Sequence, residues 1–145
     1  MNSETQKVLV KLNQSIIKIR GAYALWSKDN NITYPEMLVF YSLRKGGNCS
    51  QKTICENYLL PKQTINNTIK SLLGRKLVQF NKISSQEKIL SLTIEGKEYS
   101  NNLMSSLEKI ENTAVKEIGQ KNLISMIQTA LLYGDLLIQM ISTSK

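Results

Sequence analysis

The stretch that decides the fold runs from residue 50 to residue 92. It reads SQKTICENYLL (50–60), PKQTINNTIKSLLGRKLVQF (61–80) and NKISSQEKILSL (81–92). The first two pieces carry apolar residues at helical spacing, and a tight turn at Leu60-Pro61 separates them. The end of the second piece and the third piece predict two short strands joined by a polar tip. The predicted order is therefore helix, turn, helix and hairpin.

That order is typical of a winged helix-turn-helix, whose second helix enters the major groove of DNA. Ser50 is the predicted cap of the first helix, which turns Ile54 and Leu59 inward. Pro61 fits the first turn of the second helix, because an N–H has no helical partner at that position. The residues predicted on the buried side of the second helix are Ile65, Ile69, Leu72 and Leu73.

The positive charge of the chain is concentrated around the same stretch. The full sequence has 19 Lys and Arg against 11 Asp and Glu, and a net charge of +8. Residues 44–97 hold ten of the basic residues and three of the acidic ones, so they carry nearly all of the net charge. A basic centre between almost neutral ends is expected for a protein that binds a polyanion.

Two helices are predicted before this stretch. Residues 5–23 carry one apolar stripe at alternating spacings of three and four. Thr33 and Glu36 predict a capping box at the start of a second helix, which runs from Pro35 to Arg44 and ends at the following glycine pair.

Two more helices are predicted after it. Thr93 is the predicted cap of a long helix whose apolar residues repeat at near-heptad spacing over residues 103–118. Residues 119–121 interrupt the pattern, and a last apolar helix follows. We expect the terminal helices to bury their stripes against a second subunit, since two-fold dimers are the commonest oligomers. The alternative is that they close the core of a monomer.

The composition argues against several kinds of chemistry. The chain has no histidine, and its two cysteines, Cys49 and Cys55, are six residues apart. We therefore predict neither a zinc site nor His-dependent catalysis, and no enzyme activity or cofactor. No unbroken apolar run approaches the roughly 20 residues that span a bilayer. The start also lacks a secretory signal, so we expect a cytoplasmic protein without a membrane partner.

Over almost its whole length the chain resembles the MarR family of bacterial transcription regulators. The most specific similarities are LPKQTINNTIK (60–70) and Leu92-Thr93-x-x-Gly96 at the end of the hairpin. The resemblance implies a homodimer that binds palindromic promoter DNA, usually as a repressor. It also implies release of the DNA when a small ligand binds or a cysteine is oxidised.

The sequence departs from the family pattern in two places. Ser84, Ser85 and Gln86 stand where the family has Asp-x-Arg, so the wing arginine is missing. Gly74 lies two residues before the usual glycine position, which Lys76 occupies here, so we expect the second helix to end sooner or less cleanly.

The second helix carries side chains that can read base edges. Gln63, Asn66 and Asn67 can each pair with adenine in bidentate fashion, Thr64 can contact a thymine methyl, and Lys62 suits guanine or phosphate. We predict that these five residues read an A/T-leaning site, although Asn66 and Asn67 also fit a plain solvated surface. The residues predicted to hold the DNA backbone are Ser50, Lys52, Lys70, Arg75, Lys82 and Lys88.

Two further sites are suggested by analogy with the family. The candidate ligand-site residues are Tyr23, Trp26, Met37 and Tyr41, although aromatic residues at helical spacing are also typical of a core. Cys49, beside a predicted helix start whose dipole can stabilise a thiolate, and Cys55 are candidate redox residues. Purely structural cysteines are the alternative.

These patterns together predict a mainly α (α+β) fold, a winged helix-turn-helix with long N- and C-terminal dimerisation helices and a two-stranded wing. We expect one domain over residues 1–145, with dimerisation helices at 1–30 and 98–145 and a DNA-binding lobe at 33–97. The predicted function is that of a homodimeric, sequence-specific regulator of a palindromic promoter site, a repressor released by a small ligand. The alternative is a winged-helix protein-interaction module that has lost operator binding.

Overall fold

Six α-helices and three short strands form the part of the chain that the computed structural model describes, residues 1–82 and 88–145. The helices are α1 (Ser3–Asp29), α2 (Tyr34–Tyr41), α3 (Gln51–Tyr58), α4 (Lys62–Gly74), α5 (Ile94–Ile118) and α6 (Gln120–Thr143). The strands are β1 (Cys49–Ser50), β2 (Val78–Lys82) and β3 (Lys88–Leu92). The predicted mainly α winged-helix fold is confirmed. The predicted wing tip at Ser84, Ser85 and Gln86, and the side chain of Lys82, lie outside the described residues.

Helix α2 begins as predicted and ends earlier. The Thr33 hydroxyl accepts a hydrogen bond from the Glu36 N–H at 3.2 Å, and the Glu36 carboxylate accepts one from the Thr33 N–H at 2.9 Å. This is the predicted capping box. The α-helix stops at Tyr41 rather than at Arg44, and a π-helical turn continues the chain over Ser42–Gly46.

The chain forms two compact units, residues 1–103 and residues 104–145. In the first unit, α2, α3, α4 and the sheet supply the core. Its side chains with no exposed surface include Val39, Phe40, Ile54, Ile65, Leu72 and Leu90.

The turn between α3 and α4 corrects two predictions. Leu59 is 82% exposed rather than turned inward. It follows the last residue of α3 and has a φ of 49°, so the helical periodicity that predicted its direction has already ended. Pro61 lies at the N-cap of α4, one position before the predicted first turn. Leu73 is half-buried, whereas the other three residues predicted on the inner side of α4 are buried.

The sheet contains one strand more than predicted. Strands β2 and β3 form the predicted hairpin, in which Val78 lies opposite Leu92 and Phe80 opposite Leu90. Strand β1 pairs antiparallel with β3, so the strand order is β1-β3-β2. Two residues are too short a run to show an alternating pattern, which is why the sequence did not indicate β1.

The junction between β3 and α5 explains the Leu-Thr-x-x-Gly pattern. The Thr93 hydroxyl accepts a hydrogen bond from the Gly96 N–H at 2.9 Å, as expected of the predicted cap. A Cβ atom at residue 96 would lie 1.8 Å from the carbonyl oxygen of Leu77. Only glycine can therefore pack at this position without moving the backbone before β2.

Helix α6 is exposed along its length, and none of its residues is buried. Gly119, with a φ of 88°, is the N-cap residue of α6 and confirms the predicted interruption. Although it lacks an unbroken apolar run, α6 is long and apolar enough to cross a membrane. This is weak support for a membrane, because an apolar helix of a soluble protein can have the same length and composition.

Candidate DNA-binding site

Helix α4 separates an apolar side from a polar side. Ile65, Ile69 and Leu72 are at most 1% exposed and fix the helix to the core. The predicted DNA-facing residues fall on the other side: Lys62, Gln63, Asn67 and Lys70 are exposed, and Thr64 and Asn66 are half-buried. The five residues predicted to read bases therefore lie together in the first half of one helix.

Two of the amide side chains on this face are linked. The Gln63 side-chain amide donates a hydrogen bond to the Asn67 Oδ1 atom at 2.9 Å, across one helical turn. Each amide group has two N–H donors and an oxygen with two lone pairs, so both keep capacity for a further partner. A pair held in this way can present a fixed pattern of donors and acceptors to a base edge.

The C-terminal end of α4 is regular although its glycine is displaced. The Lys76 N–H donates to the Leu73 carbonyl, and the Leu77 N–H to the Leu72 carbonyl, both at 3.0 Å. This pair of bonds is a Schellman motif, and Lys76 takes its left-handed position with a φ of 59°. A residue with a Cβ atom is disfavoured there by about 1–2 kcal/mol.

Two residues at the start of α3 that were predicted to contact the DNA backbone, Ser50 and Lys52, differ in exposure. Ser50 is 7% exposed, and its hydroxyl accepts a hydrogen bond from the Thr53 N–H at 3.1 Å. The structure thus gives Ser50 the predicted capping role, and its phosphate contact stays a prediction. The Lys52 side chain is 82% exposed and pairs with Glu56 at 3.8 Å, so solvent weakens this pair.

A crevice of about 470 Å³ lies beside these residues. It is lined by Gln51, Lys52, Cys55, Glu56 and Lys62. Two of the predicted DNA contacts, Lys52 of α3 and Lys62 of α4, are thereby brought to one place.

Arg75 is engaged within the protein, although its side chain is 41% exposed. Its guanidinium forms an ion pair with Glu36 and donates from Nη2 to the Tyr99 hydroxyl at 3.1 Å. Burial lowers the pKa of Arg75, but the bonds to Tyr99 and Glu36 and the Glu36 charge outweigh it, so the pKa is raised. The DNA backbone role of Arg75 stays a prediction, and the group already has partners within the protein.

Lys88, in contrast, is exposed at the start of β3, and its ammonium lies 5.6 Å from the centre of the Phe80 ring.

A second cavity, of about 210 Å³, lies among α1, α2 and the end of α3. It is lined by three of the four predicted ligand-site residues, Tyr23, Met37 and Tyr41. The rings of Tyr23 and Tyr41 meet edge to face, with centroids 6.4 Å apart. Trp26 does not line the cavity, and at 9% exposure it belongs to the core.

Sequence reasoning missed five further residues of this cavity: Ile19, Arg20, Tyr34, Leu38 and Tyr58. The Arg20 guanidinium lies 5.9 Å from the centre of the Tyr34 ring. Tyr58 follows the buried Ile54 by four residues, so helical spacing could have placed it on the inner face. Nothing in the sequence links Arg20 with Tyr34, because they belong to separate helices.

The two cysteines have different surroundings. Cys49 lies in β1 opposite Leu90, and burial raises the pKa of its thiol. This shift is opposite to the thiolate stabilisation predicted for a redox residue. Cys55 is half-buried in α3 at the crevice described above.

Comparison with solved structures supports the family resemblance. The structure of NMB1585, a MarR family regulator from Neisseria meningitidis, matches with a TM-score of 0.87 and 26% identity over 100% of both chains. This full-length likeness supports a MarR-family transcriptional regulator.

Two other MarR-family structures have the same fold. A MarR/EmrR family regulator from Acinetobacter sp. ADP1 has a TM-score of 0.73 at 17% identity, covering 96% of this chain and 99% of that one. Staphylococcus aureus MarR in complex with salicylate and kanamycin has a TM-score of 0.66 at 19% identity, covering 94% and 97%. At these identities the likeness supports the fold alone. No family model and no curated protein sequence matches the chain.

The likeness also supports DNA binding and transcription regulation. Helices α3 and α4 form its helix-turn-helix, and β2 and β3 form the wing.

Proposed function

We propose that the chain is a homodimeric, sequence-specific regulator, a cytoplasmic repressor that binds a palindromic promoter site and leaves it when a small molecule binds. The observation that carries the proposal is the polar side of α4. Its linked Gln63 and Asn67 amides and its exposed lysines form one solvent-facing surface on a helix whose other side is fixed in the core. Amides suit adenine, and lysines suit guanine or phosphate, so one surface can both read and hold DNA.

The homodimer is supported by apolar surface at both ends of the chain. In α6, Leu131 is 64% exposed and Ile141 is 61% exposed, and in α1 Ile17 is 68% exposed. Monomeric soluble proteins rarely expose large contiguous apolar surfaces. A second copy of the chain can cover these faces. In the alternative, the terminal helices close the core of a monomer, but a single chain leaves α6 without buried residues.

A dimer of this kind reads two half-sites. The two copies of α4 are expected about one helical turn of DNA apart, so the half-sites lie roughly 10 bp from centre to centre. Two-fold symmetry of the protein then requires an inverted repeat in the DNA.

The cavity beside α2 is the proposed effector site. Its volume of about 210 Å³ is below the roughly 300–1,000 Å³ of sites for drug-sized ligands, so we propose a small ligand. The lining tyrosines offer ring faces, and Arg20 offers a positive charge, which together suit a small aromatic acid. Staphylococcus aureus MarR was solved with salicylate, a molecule of that class.

Selection of bound sites from random duplex DNA tests the proposal. The expected result at low salt is enrichment of an inverted repeat with A/T-rich half-sites. Lack of any enrichment contradicts it and supports the protein-interaction module instead.

A further inference from the structure

The C-terminal end of α4 is held by a cluster of three side chains, Glu36, Arg75 and Tyr99. Glu36 is 8% exposed, and both of its carboxylate oxygens are used. Oε2 accepts from the Thr33 N–H at 2.9 Å and completes the cap of α2, while Oε1 accepts from the Arg75 guanidinium. One buried carboxylate therefore joins the start of α2 to the end of α4.

Arg75 extends this connection to α5. It is the C-cap residue of α4, and its guanidinium lies over the Tyr99 ring, 5.4 Å from the ring centre. The other neighbour of that ring is Phe40 of α2, at a centroid distance of 5.6 Å. Because Phe40 is fully buried, it fixes the ring on which Arg75 rests.

The backbone after α4 is also held by Thr93, the residue that caps α5. The Thr93 hydroxyl donates to the Lys76 carbonyl at 2.6 Å, and the Thr93 N–H donates to the Leu77 carbonyl at 3.2 Å. Residues 75–77 thus have partners in both α2 and α5.

The opposite end of α4 is held less firmly. Its N-cap, Pro61, makes no side-chain cap hydrogen bond, and the preceding turn exposes Leu59. Apolar packing fixes which side of α4 faces the core, and among the described residues the ion pair and hydrogen bonds of Arg75 tie its C-terminal end to α2 and α5.

We infer that Glu36, Arg75 and Tyr99 are positioning residues that set the direction in which α4 enters DNA. The inference rests on the proposed DNA reading by α4 and assigns Arg75 a role other than the phosphate contact predicted for it. The two roles predict opposite effects on DNA binding when the Glu36 charge is removed. If Arg75 contacted phosphate, removing the Glu36 charge would free it and tighten DNA binding. If Arg75 positions α4, the same change weakens specific binding.

The decisive variant is Glu36→Gln, which keeps an acceptor for the Thr33 N–H and removes the charge that faces Arg75. The probes are the duplex recovered by site selection and a scrambled duplex of the same length and composition. We expect binding to the recovered duplex to weaken roughly 2- to 30-fold, the range of measured effects on coupling between sites. Binding to the scrambled duplex should stay within about twofold, because positioning acts on base reading.

Two further variants complete the test. Glu95→Gln makes the same charge change at an exposed residue of α5 and should leave the preference for the recovered duplex unchanged. Tyr99→Phe removes only the hydroxyl that accepts from Arg75, so it carries the same test if Glu36→Gln does not fold. Tighter binding of both duplexes by Glu36→Gln overturns the inference.

Hydrogen exchange gives a measurement that needs no operator. In Glu36→Gln, the amides of Arg75, Lys76 and Leu77 should exchange several-fold faster, while those of Gln79 and Ser91 in the hairpin stay unchanged. If site selection yields no repeat, the proposed function fails, and the exchange data still test the cluster. Unchanged exchange at residues 75–77 contradicts the positioning role.

Discussion

At the scale of single residues, one side of α4 packs against the core and the other side carries the residues proposed to read bases. Ile65, Ile69 and Leu72 hold it to the core, and Gln63, Asn67 and Lys70 face solvent. Gln63 and Asn67 restrain each other by a hydrogen bond, which lowers the entropy lost when a base is bound.

Replacing Gln63 or Asn66 with Ala tests base reading. Each change should reduce the discrimination between the selected site and its single-base variants by roughly 1–3 kcal/mol, because a bidentate contact is lost. Competition binding with a set of duplexes measures this. Equal weakening on every duplex would show that the residue holds the backbone and reads no base.

Substitutions at Lys76 test the left-handed backbone conformation at the C-terminal end of α4. Lys76→Gly should be about 1 kcal/mol more stable to urea than Lys76→Ala, because Ala keeps the Cβ atom in the left-handed position and Gly does not. The two variants lose the same charge, so their difference reports the backbone alone. Equal urea unfolding midpoints for the two variants, measured at the same protein concentration, would count against backbone strain at Lys76.

At the scale of elements, the junction at the start of α5 connects the hairpin to the segment that follows α4. The hairpin returns to α5 through Thr93, and Gly96 rests directly against the Leu77 carbonyl. This contact brings the start of α5 against the segment that follows α4.

Gly96→Ala should destabilise the chain by about 1–3 kcal/mol or more, because the clash is with backbone and cannot be relieved by a rotamer change. Gly74→Ala is the matched control. It also adds a Cβ atom, but nothing lies within 4 Å of it, so a gain of roughly 0.5–1 kcal/mol is expected. Chemical denaturation of both variants measures the difference, and a harmless Gly96→Ala would exclude the close packing.

Periodicity and capping patterns were enough to predict most of these elements. The Thr33 and Glu36 capping box, the inner side of α4 and the break at Gly119 all follow from local spacing, and all are confirmed. Contacts between distant residues could not be predicted in this way. Glu36 and Arg75 are 39 positions apart, and nothing local to either residue indicates its partner.

The same reasoning applies to two residues of the candidate site. Arg75 and Ser50 have residue types that suit phosphate, but the fold also uses one in an ion pair with Glu36 and the other as a helix cap. Residue type and charge predicted the DNA-facing surface as a whole. They could not show which of its polar groups the protein itself engages.

At the scale of the whole molecule, the exposed apolar helices offer surface that a partner could cover, and we propose a second copy of the chain. Leu131→Asp should shift the protein toward monomers, because it places a charge in the proposed interface. If Leu131 is a hot spot, the cost is about 2–4 kcal/mol, a roughly 30- to 1,000-fold higher dimer Kd.

Gln128→Asp is the control, since it adds the same charge to an exposed polar position of α6. Sedimentation over a range of concentrations measures both variants. An unchanged dimer in Leu131→Asp, or a monomeric parent chain, would contradict the proposed assembly.

The most direct test of the regulator as a whole is the effect of half-site spacing on binding to the selected duplex. If one dimer places two copies of α4 on one face of the DNA, inserting 5 bp between the half-sites turns one of them by about half a helical turn. Affinity should then fall close to that for a single half-site, while a 5-bp insertion outside the repeat should have no effect. Equal affinity for the original and the respaced duplex would contradict a dimer that reads an inverted repeat through α4.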